Sequence, residues 1–427
     1  MQKEIRTTPL HDWHLANGAN MANFGSYEMP LWYPSGAKKE HLAVLTGAGI
    51  FDTSHMAVVT VGGKDAKALL QHCFSKDLAL CQQPLNTPLA EGRCVYGLFL
   101  TEGGDVIDDA IVYKVEETLY MVVVNAGMGG DIAAHMEKNK GALAAVVTDL
   151  TDRVGKMDIQ GPVAAKVLGR LLRDPETVFG KMPYFSFKGY FDLNRANLQQ
   201  VQLVDGTPVM ISRTGYTGEF GFELFLDPLK IVKLWEEMLI EGEDYGVIAC
   251  GLAARDSLRA GAVLPLSHQD VGPWPFANNP WPFALPWNVS GNAFTKGFIG
   301  SDALLSLSGA DHTLAFAGYD LRKIPVGEGT FVTDLSGKKI GHVLTCASDM
   351  GIGRVADRIV SIATPIAAGR PEEFEPRGLC CGFIKVKLNL AAGEQVILTD
   401  GKRKIKVEIR TDIRPDRTAR RPIREMV

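Results

Sequence analysis

Residues 94–125 have the sequence CVYGLFLTEGGDVIDDAIVYKVEETLYMVVVN. Three runs rich in β-formers are separated by Glu-Gly-Gly and Val-Glu-Glu-Thr, which are typical turn sequences. The stretch therefore predicts an antiparallel meander. The run before it, VVTVGGKDAKALLQHCF from Val58, predicts a strand, a Gly-Gly turn and a helix, because strand-like alternation gives way to helical spacing of apolar residues.

The order of elements predicts an α+β fold in several domains. A chain of 427 residues has room for two to four domains, at about 100–200 residues each. Strands and helices mix without regular βαβ alternation up to about Thr313, and short strands dominate after it, as in GFIKVKL and RKIKVEIR. We therefore expect α+β layers followed by a carboxy-terminal β-domain.

Composition and motifs exclude several classes of function. Lys and Arg total 45 against 49 for Asp and Glu, a formal charge of −4, so no cationic excess is set aside for nucleic acid or anionic lipid. No G-x-G-x-x-G or G-x-x-x-x-G-K-[ST] motif follows a strand, which argues against dinucleotide and triphosphate binding. No apolar run reaches the roughly 18 residues of a membrane span, and the amino terminus lacks a signal-like apolar stretch. We expect a cytoplasmic protein.

The seven cysteines do not predict a disulfide framework or a zinc site. Their number is odd and no C-x-x-C pair occurs among them. The vicinal pair Cys380 and Cys381 fits two small residues on a strand. No group of His, Cys, Asp and Glu has metal-ligand spacing, so we expect no metal.

Two adjacent carboxylates, Asp108 and Asp109, lie within the apolar run GDVIDDAIVY. Successive residues of a strand point to opposite faces, so one of them must point into the buried side. A buried carboxylate has a partner, a metal or a catalytic role, or accepts backbone hydrogen bonds at a turn. The residues alone leave these alternatives open.

Two further segments combine glycines or arginines with chemistry-bearing side chains. In SRTGYTGEFGFEL, three glycines permit close backbone approach to a ligand or to a neighbouring strand, beside Tyr216, Glu219 and Glu223. In GLAARDSLRAG, Arg255 and Arg259 are four apart and share one helix face, where arginines are usually solvated or salt-bridged.

Taken together, these stretches resemble the glycine cleavage T-protein (aminomethyltransferase) family of folate-dependent one-carbon transferases. Six motifs occur in the family's order over roughly the first 300 residues, and the remaining third fits the family's β-barrel domain by length and strand content. The motifs are Gly25–SYEMPLWY–Pro34 with Leu10 before it, Ala48–Met56, Gly103–Val115, Met121–Ala126, Ile211–Leu224 and Gly251–Arg259.

The resemblance implies an architecture of two mixed α+β domains around a central folate pocket and a carboxy-terminal β-barrel. The implied boundaries are 1–57 with 152–265 for the first domain, 58–151 with 266–305 for the second, and 306–427 for the third.

The resemblance also implies roles for individual residues. Asp109 takes the catalytic position beside the reactive nitrogens of tetrahydrofolate, and Glu223 and Arg255 bind the folate, with Glu223 on the pterin's N–H edge. Other positions on the pocket wall are implied for Met56, Tyr96, Tyr113 and Tyr216. His55 has two interpretations, a catalytic histidine or a hydrogen-bonded one that holds nearby backbone. Further candidates are Asn125, Trp274, Trp281 and Trp287.

The sequence departs from the family's pattern at three places. Gly261 stands in the segment where the family has Leu-Glu-Ala-Gly, and Leu266-Ser267-His268-Gln269-Asp270 replaces Leu-Tyr-Gly-x-Asp. The duplicated PWPFA at 273–277 and 280–284 replaces a Pro-x-Glu segment. The family's carboxy-terminal tyrosine is missing, and residues 402–425 instead contain ten Lys or Arg against four Asp or Glu. This basic segment fits either a solvated surface or a contact with the glutamate tail of folate.

These departures leave the one-carbon donor open. The first interpretation is an aminomethyltransferase-like enzyme that uses a small-molecule donor or a lipoylated carrier protein. The second is a folate-dependent demethylase of a small methylated amine, sulfonium or methoxy compound, in which exposed Trp274 and Trp281 would surround a methylated cation. The third is a non-catalytic folate-binding regulator, against which the retained Asp109 argues. For the Pro/Trp segment, a rigid self-packed connection between domains is the structural alternative.

Overall fold

Residues 5–82, 85–192 and 200–427 are described by the structure, a computed structural model. The alternating segment of the sequence that begins at Leu198 therefore starts outside the described residues, as does the beginning of the amino-terminal stretch. Across the described ranges, no helix has both the length and the apolar character needed to cross a membrane. The cytoplasmic location stays a prediction.

The helices are mostly short. In chain order they are α1 (His11–Ala16), α2 (Ala37–Thr46), α3 (Ala66–Cys73), α4 (Gly129–Asn139), α5 (Ala164–Leu171), α6 (Pro175–Phe179), α7 (Ile231–Glu241), α8 (Leu252–Gly261) and α9 (Ser301–Ser306). Single turns of 3₁₀ helix are present at Pro228–Lys230, Glu243–Tyr245, Pro282–Ala284, Ile366–Ala368 and Ile423–Glu425.

The strands fall into an amino-terminal and a carboxy-terminal group. The first group is β1 (Asn20–Phe24), β2 (Tyr27–Trp32), β3 (Gly49–Asp52), β4 (Ala57–Gly62), β5 (Arg93–Leu100), β6 (Val106–Glu116), β7 (Leu119–Val124), β8 (Val146–Asp149), β9 (Gly155–Gln160), β10 (Phe187–Lys188), β11 (Met210–Ser212), β12 (Gly221–Leu226) and β13 (Ile248–Ala249). The second group is β14 (His312–Gly318), β15 (Phe331–Thr333), β16 (Lys339–Asp349), β17 (Ile352–Val355), β18 (Arg358–Ser361), β19 (Leu379–Val386), β20 (Gln395–Thr399) and β21 (Lys404–Arg410).

A mixed sheet, an antiparallel sheet and a barrel organise these strands. The first sheet has the order β10-β11-β12-β9-β3-β13, and the second has the order β5-β6-β7-β4-β8. The carboxy-terminal strands close a barrel in the order β14-β19-β16-β15-β20-β21. The α+β fold class with a carboxy-terminal barrel is therefore confirmed. The domain boundaries stay a prediction, although the second sheet begins at Ala57, one residue before its predicted start.

The elements predicted from sequence periodicity form where expected. β5, β6 and β7 pair antiparallel as the predicted meander, and α3 follows β4 after the Gly-Gly turn. In α7, the side chains of Ile231, Leu234, Trp235 and Met238 are buried against the first sheet's core. This spacing places them on one helical face, which explains why the helix packs there.

Two hairpins are not predicted by the sequence pattern. β1 pairs with β2, and β17 pairs with β18, each outside the main sheets. Pro30 lies within β2, and a proline within an apolar run argues against a strand unless it lies at an edge. Among the described strands β2 pairs with β1 alone, and its other edge has a single bridge from Arg6 to Tyr27, so Pro30 interrupts no ladder there.

A buried cluster of charges fastens the barrel to the rest of the protein. The Arg414 guanidinium, just after β21, pairs with Asp349 of β16 (2.5 Å) and Glu219 of the first sheet's loop (3.1 Å). His41 of α2 lies 3.0 Å from the other Asp349 oxygen. All four side chains are at most 3% exposed. Nearly full burial makes each partner necessary to the others.

Replacing Arg414 by Ala should lower the free energy of unfolding by about 3–5 kcal/mol, because it leaves two buried carboxylates uncompensated. The matched control is Arg322→Ala, which removes an ion pair to Asp320 whose arginine side chain is 73% exposed. That change should cost about 0–1 kcal/mol. Urea denaturation followed by tryptophan fluorescence measures both, and equal losses would contradict the structural role of Arg414.

Candidate active site

A cavity of about 1370 Å³ lies where the two sheets and the barrel meet. Its wall includes Asp109 of β6, Glu223 of β12, Arg255 of α8 and Ala347 of β16. This volume exceeds the roughly 300–1,000 Å³ of a typical small-molecule site. The cavity therefore has room for a folate-sized ligand and part of a second reactant. No group of three or more His, Cys, Asp or Glu in the described ranges could hold a metal ion.

The alternation of β6 separates the two adjacent carboxylates. Asp108 is fully buried on one face of the strand, together with Ala110 and Val112. Asp109 is half-buried on the other face and reaches the cavity. The sequence left open which aspartate points inward, and the structure assigns the buried position to Asp108.

Asn125, at the end of β7, joins the two carboxylates. Its side-chain amide donates to Asp108 Oδ1 (2.8 Å) and Asp109 Oδ1 (2.5 Å), and its backbone N–H donates to Asp108 Oδ2 (2.9 Å). Ser267 Oγ also donates to Asp108 Oδ1, at 2.7 Å. Asp108 thus has the donors that a buried carboxylate needs. We call Asp108, Asn125 and Asp109 the carboxylate unit.

Asp109 combines a fixed orientation with a perturbed ionisation. Burial, with the Asp108 charge behind it, raises the pKa of Asp109 to about 6. Tyr96 of β5 donates its hydroxyl to Asp109 Oδ2 at 2.8 Å. Burial raises the pKa of Tyr96 as well, so its hydroxyl stays protonated as a donor. A carboxyl group that titrates near neutral pH is suited to proton transfer.

Glu223 is held on the opposite side by donors of its own sheet and of the second sheet. Its Oε2 accepts from Thr214 Oγ1 (2.8 Å) and from the Tyr113 hydroxyl (3.3 Å). Tyr113 is completely buried and is not among the described residues of the cavity wall. It lies behind Glu223 and orients that carboxylate, which differs from the wall position implied by the resemblance.

Two charged residues that the sequence analysis missed lie at the cavity: Lys156 belongs to its wall, and Asp158 is buried behind it. Lys156 Nζ lies 2.9 Å from Asp158 Oδ1 and 3.3 Å from Glu223 Oε1, and Arg255 lies 3.2 Å from Asp158 Oδ2. Burial alone would raise the pKa of Asp158, but Lys156 and Arg255 outweigh it and the net direction is down. The two positive charges of this group therefore cancel the two negative charges. The sequence pattern that could have identified Lys156 and Asp158 is the alternation KMDIQ of β9, in which polar residues occupy every second position.

The other predicted wall residues lie around these groups. Met56, Tyr96, Tyr216 and Asn125 contribute to the wall. Tyr216 donates its hydroxyl to the Pro265 carbonyl, and the Arg255 guanidinium lies 4.8 Å from the centre of its ring. Tyr216 is thereby fixed as a flat surface with a cation on it.

His55 is also in the cavity wall, and it is only 2% exposed. Burial, followed by the charges of Arg255 and Lys156, lowers the pKa of His55 to about 4, so the imidazole is neutral at physiological pH. Its Nδ1 is buried without a hydrogen-bond partner in the described part of the chain. The interpretation of a fully hydrogen-bonded histidine is therefore wrong for this atom.

The prediction that exposed Trp274 and Trp281 surround a methylated cation is wrong. Trp281 is 1% exposed, and its Nε1 donates to the Val263 carbonyl at 2.8 Å. One face of Trp274 lies against the backbone of Gly272, where a Cβ would overlap the ring, and the Lys385 ammonium lies 3.7 Å from the ring centre. Both indoles serve a self-packed connection.

Trp287 lies away from the other two predicted tryptophans. It is 37% exposed and packs on Phe294 with ring centres 4.4 Å apart. Neither Trp274 nor Trp287 belongs to the described cavity wall, whereas the buried Trp281 contributes to it.

Gly261 stands where the family has a carboxylate, and in this protein a carboxylate from the barrel lies beside that position. Gly261 is buried at the end of α8, and a Cβ there would overlap the Asp349 carboxylate. Arg414 pairs with that same carboxylate. Asp349 thus supplies negative charge from the barrel at this place. Position 261 therefore lies in the interior rather than on a donor-facing surface.

The basic carboxy-terminal segment is only partly a solvated surface. Arg414 is buried, and Arg417 and Arg420 line the cavity. Arg417 pairs with Asp412 at 2.5 Å. Part of the segment is thus in a position to meet an anionic ligand.

Comparison with known proteins identifies close relatives. Residues 10–290 match the family model described as the GCVT N-terminal domain. The aminomethyltransferase of Alkaliphilus oremlandii is 32% identical over 369 residues, covering 85% of this chain and 93% of that protein. That of Symbiobacterium thermophilum is 33% identical over 351 residues, covering 81% and 86%. The crystal structure of the glycine cleavage system aminomethyltransferase T from Bartonella henselae is 27% identical, with a TM-score of 0.73 over 95% of this chain and 97% of that one.

Replacing Trp281 by Ala should lower the free energy of unfolding by about 3–5 kcal/mol, because it empties a large buried site against Phe383. Trp287→Ala, at an indole that is 37% exposed, is the matched control and should cost clearly less. Denaturant titrations of the two variants measure the change in the free energy of unfolding. A Trp281→Ala protein of normal stability would contradict the self-packed connection.

Proposed function

The chain belongs to the glycine cleavage T-protein (aminomethyltransferase) family, and we propose that it works as a tetrahydrofolate-dependent aminomethyltransferase through the cavity described above. It is a folate-dependent one-carbon transferase, and tetrahydrofolate is the acceptor of the carbon unit. The observation that carries the residue assignment is the presence of Asp109 and Glu223, from two different sheets, on one cavity wall. Each carboxylate is held by donors other than a ligand.

Glu223 is proposed to hold the pterin ring. An ionised carboxylate has about four lone-pair directions, and those of Glu223 are only partly used by Thr214, Tyr113 and Lys156. A pterin presents parallel N–H donors along one edge, which suits the remaining acceptor capacity. The flat surface of Tyr216 and the unpartnered His55 Nδ1 support the fit of an aromatic, hydrogen-bonding ligand.

Asp109 is proposed as the proton acceptor of the reaction. Bound tetrahydrofolate would supply the nucleophilic nitrogens for the carbon unit, and the protons that these nitrogens lose would end on the amine and the thiol that leave the donor. The Asp109 carboxylate can take such a proton because its pKa of about 6 lies close to working pH. Tyr96 and Asn125 fix its two oxygens, so it is oriented before any ligand arrives. Orientation in advance reduces the reorganisation needed in the transition state.

A lipoylated carrier protein is the proposed donor. The family is the T protein of the glycine cleavage system, and a cavity of about 1370 Å³ leaves room for a carrier arm beside the folate. The demethylase alternative depended on exposed tryptophans and on departures from the family's pattern, of which Gly261 is one. Both arguments fail because Trp281 and Gly261 are buried. The non-catalytic alternative is not favoured, since the curated relatives are aminomethyltransferases.

Asp109→Asn should bind tetrahydrofolate normally and lose about 10²–10⁴-fold in turnover, because the amide keeps the shape and removes the base. Isothermal titration gives the binding, and single-turnover assays with an aminomethylated lipoyl carrier give the rate. In the wild type, turnover should fall as the pH drops through about 6, where the carboxylate becomes protonated. Near-normal turnover in Asp109→Asn would refute the assignment.

Glu223→Gln should weaken tetrahydrofolate binding by about 1.5–3 kcal/mol, or about 10- to 150-fold in Kd, because a charge-assisted contact becomes a neutral one. The control is Glu117→Gln, whose carboxylate pairs with Lys114 and is 71% exposed. Titration calorimetry on both variants measures the change. An unchanged Kd in Glu223→Gln would remove Glu223 from the folate site.

A further inference from the structure

His268 has a backbone conformation that few side chains adopt. Its φ angle is +62°, in the left-handed region. Such a conformation in a residue other than glycine persists only where the surroundings enforce it. The sequence placed His268 in the segment where the family has Leu-Tyr-Gly-x-Asp, and the proposed function does not account for it.

The segment 266–271 is locked by its neighbours. The Leu266 N–H donates to Asp270 Oδ2 at 3.0 Å, and the His268 N–H donates to the Val271 carbonyl at 2.7 Å. Asp270 is fully buried and pairs with Arg259 of α8. Thr345 of β16 donates to Asp270 Oδ1 at 2.7 Å and accepts from the Gln269 amide at the same distance. A barrel strand and α8 thus hold the turn in shape.

The locked turn presents two side chains to one carboxylate oxygen. Ser267 Oγ donates to Asp108 Oδ1 at 2.7 Å, and His268 Nε2 lies 3.6 Å from the same oxygen. Asp108 itself is fully buried, but the His268 side chain is 48% exposed. The imidazole can therefore exchange protons with solvent while it faces a buried charge.

The ionisation of Asp108 and Asp109 depends on the charged and titratable groups around them, and His268 is one of these groups. Asp108 and Asp109 share Asn125, and two neighbouring carboxylates oppose each other's ionisation. Asp108 and Asp109 face His268 from β6. Tyr96 from β5 and Tyr216 from the first sheet's loop face Asp109 with protonated hydroxyls. Arg255 and Arg259 act on Tyr216, but Asp158 and Asp270 already pair with them.

We propose that His268 is a positioning residue for the active site: its imidazolium sits against the rear of the carboxylate unit and keeps Asp109 ionised toward the cavity. The inference rests on the proposed role of Asp109. Contact with Asp108 raises the pKa of His268 despite partial burial, and the nearby imidazolium moderates the upward shift of the Asp109 pKa. The Asp108 charge attracts the His268 imidazolium and opposes the ionisation of Asp109, so Asp108 couples the charges of these two residues.

The test compares His268→Asn and His268→Gly with the wild type. Asn and Gly accept a positive φ, so both variants keep the turn and lose only the cation. In each, the acid limb of kcat should move to higher pH. A move of one pH unit would lower the ratio of kcat at pH 6 to kcat at pH 8 about fivefold.

His11→Asn is the matched control, because His11 also pairs with a carboxylate, Glu28, at 2.7 Å, outside the cavity wall. Its pH profile should match the wild type. An unmoved acid limb in both His268 variants would overturn the inference while leaving the proposed function intact. Retained turnover in Asp109→Asn is the separate result that would overturn the proposed function.

A second measurement does not depend on turnover. The His268 imidazole is titrated by NMR in the protein without folate, in the wild type and in Asp108→Asn. We expect its midpoint to lie above that of a free imidazole in the wild type and to fall in Asp108→Asn, while the His11 midpoint stays constant. Identical His268 midpoints in the two proteins would overturn the ion pair on which the inference depends.

Discussion

Two consecutive carboxylates in one buried strand are the constraint around which the site is arranged. Asp108 and Asp109 cannot share a face of β6, so one lies in the interior and the other reaches the cavity. Each needs donors, because an unsatisfied buried carboxylate is expensive. Asn125 serves both at once, and the turn at Ser267 supplies a further donor to Asp108. The sheet and a distant turn are thus tied to each other by one charge.

The charged residues at the cavity wall and directly behind it satisfy the same rule with ion pairs. Lys156, Asp158, Glu223 and Arg255 form a chain of alternating charge with separations of 2.9–3.3 Å. Such a chain is electrically neutral before a ligand binds. The attraction between paired charges offsets part of the desolvation penalty that each buried ion incurs. It also leaves a carboxylate and a guanidinium on the wall in fixed positions, which suits recognition of a polar aromatic ring.

The barrel has a structural part in the site although the proposed reacting groups belong to the two sheets. Through Thr345 and Gln269 it fixes the turn that carries Ser267 and His268, and through Asp349 it fills the space beside Gly261. Arg414 completes this arrangement by pairing with Asp349 and Glu219. The barrel is therefore a support that sets the geometry at the rear of the carboxylate unit.

The sequence by itself determined the local elements and the family. Periodicity predicts the meander of β5, β6 and β7 and the helix α3 after β4, because each depends on neighbours a few residues away. The motifs point to Asp109, Glu223 and Arg255, which the structure brings to one cavity wall. Only the tertiary structure decided what depends on distant contacts. It assigned Asp108 to the interior, placed Tyr113 behind Glu223, buried Trp281, and brought Asp349 to Gly261 and His268 to Asp108. These pairs are separated by tens to hundreds of residues along the chain, so no local pattern records them, and only the packing of the sheets and the barrel determines which charge meets which partner.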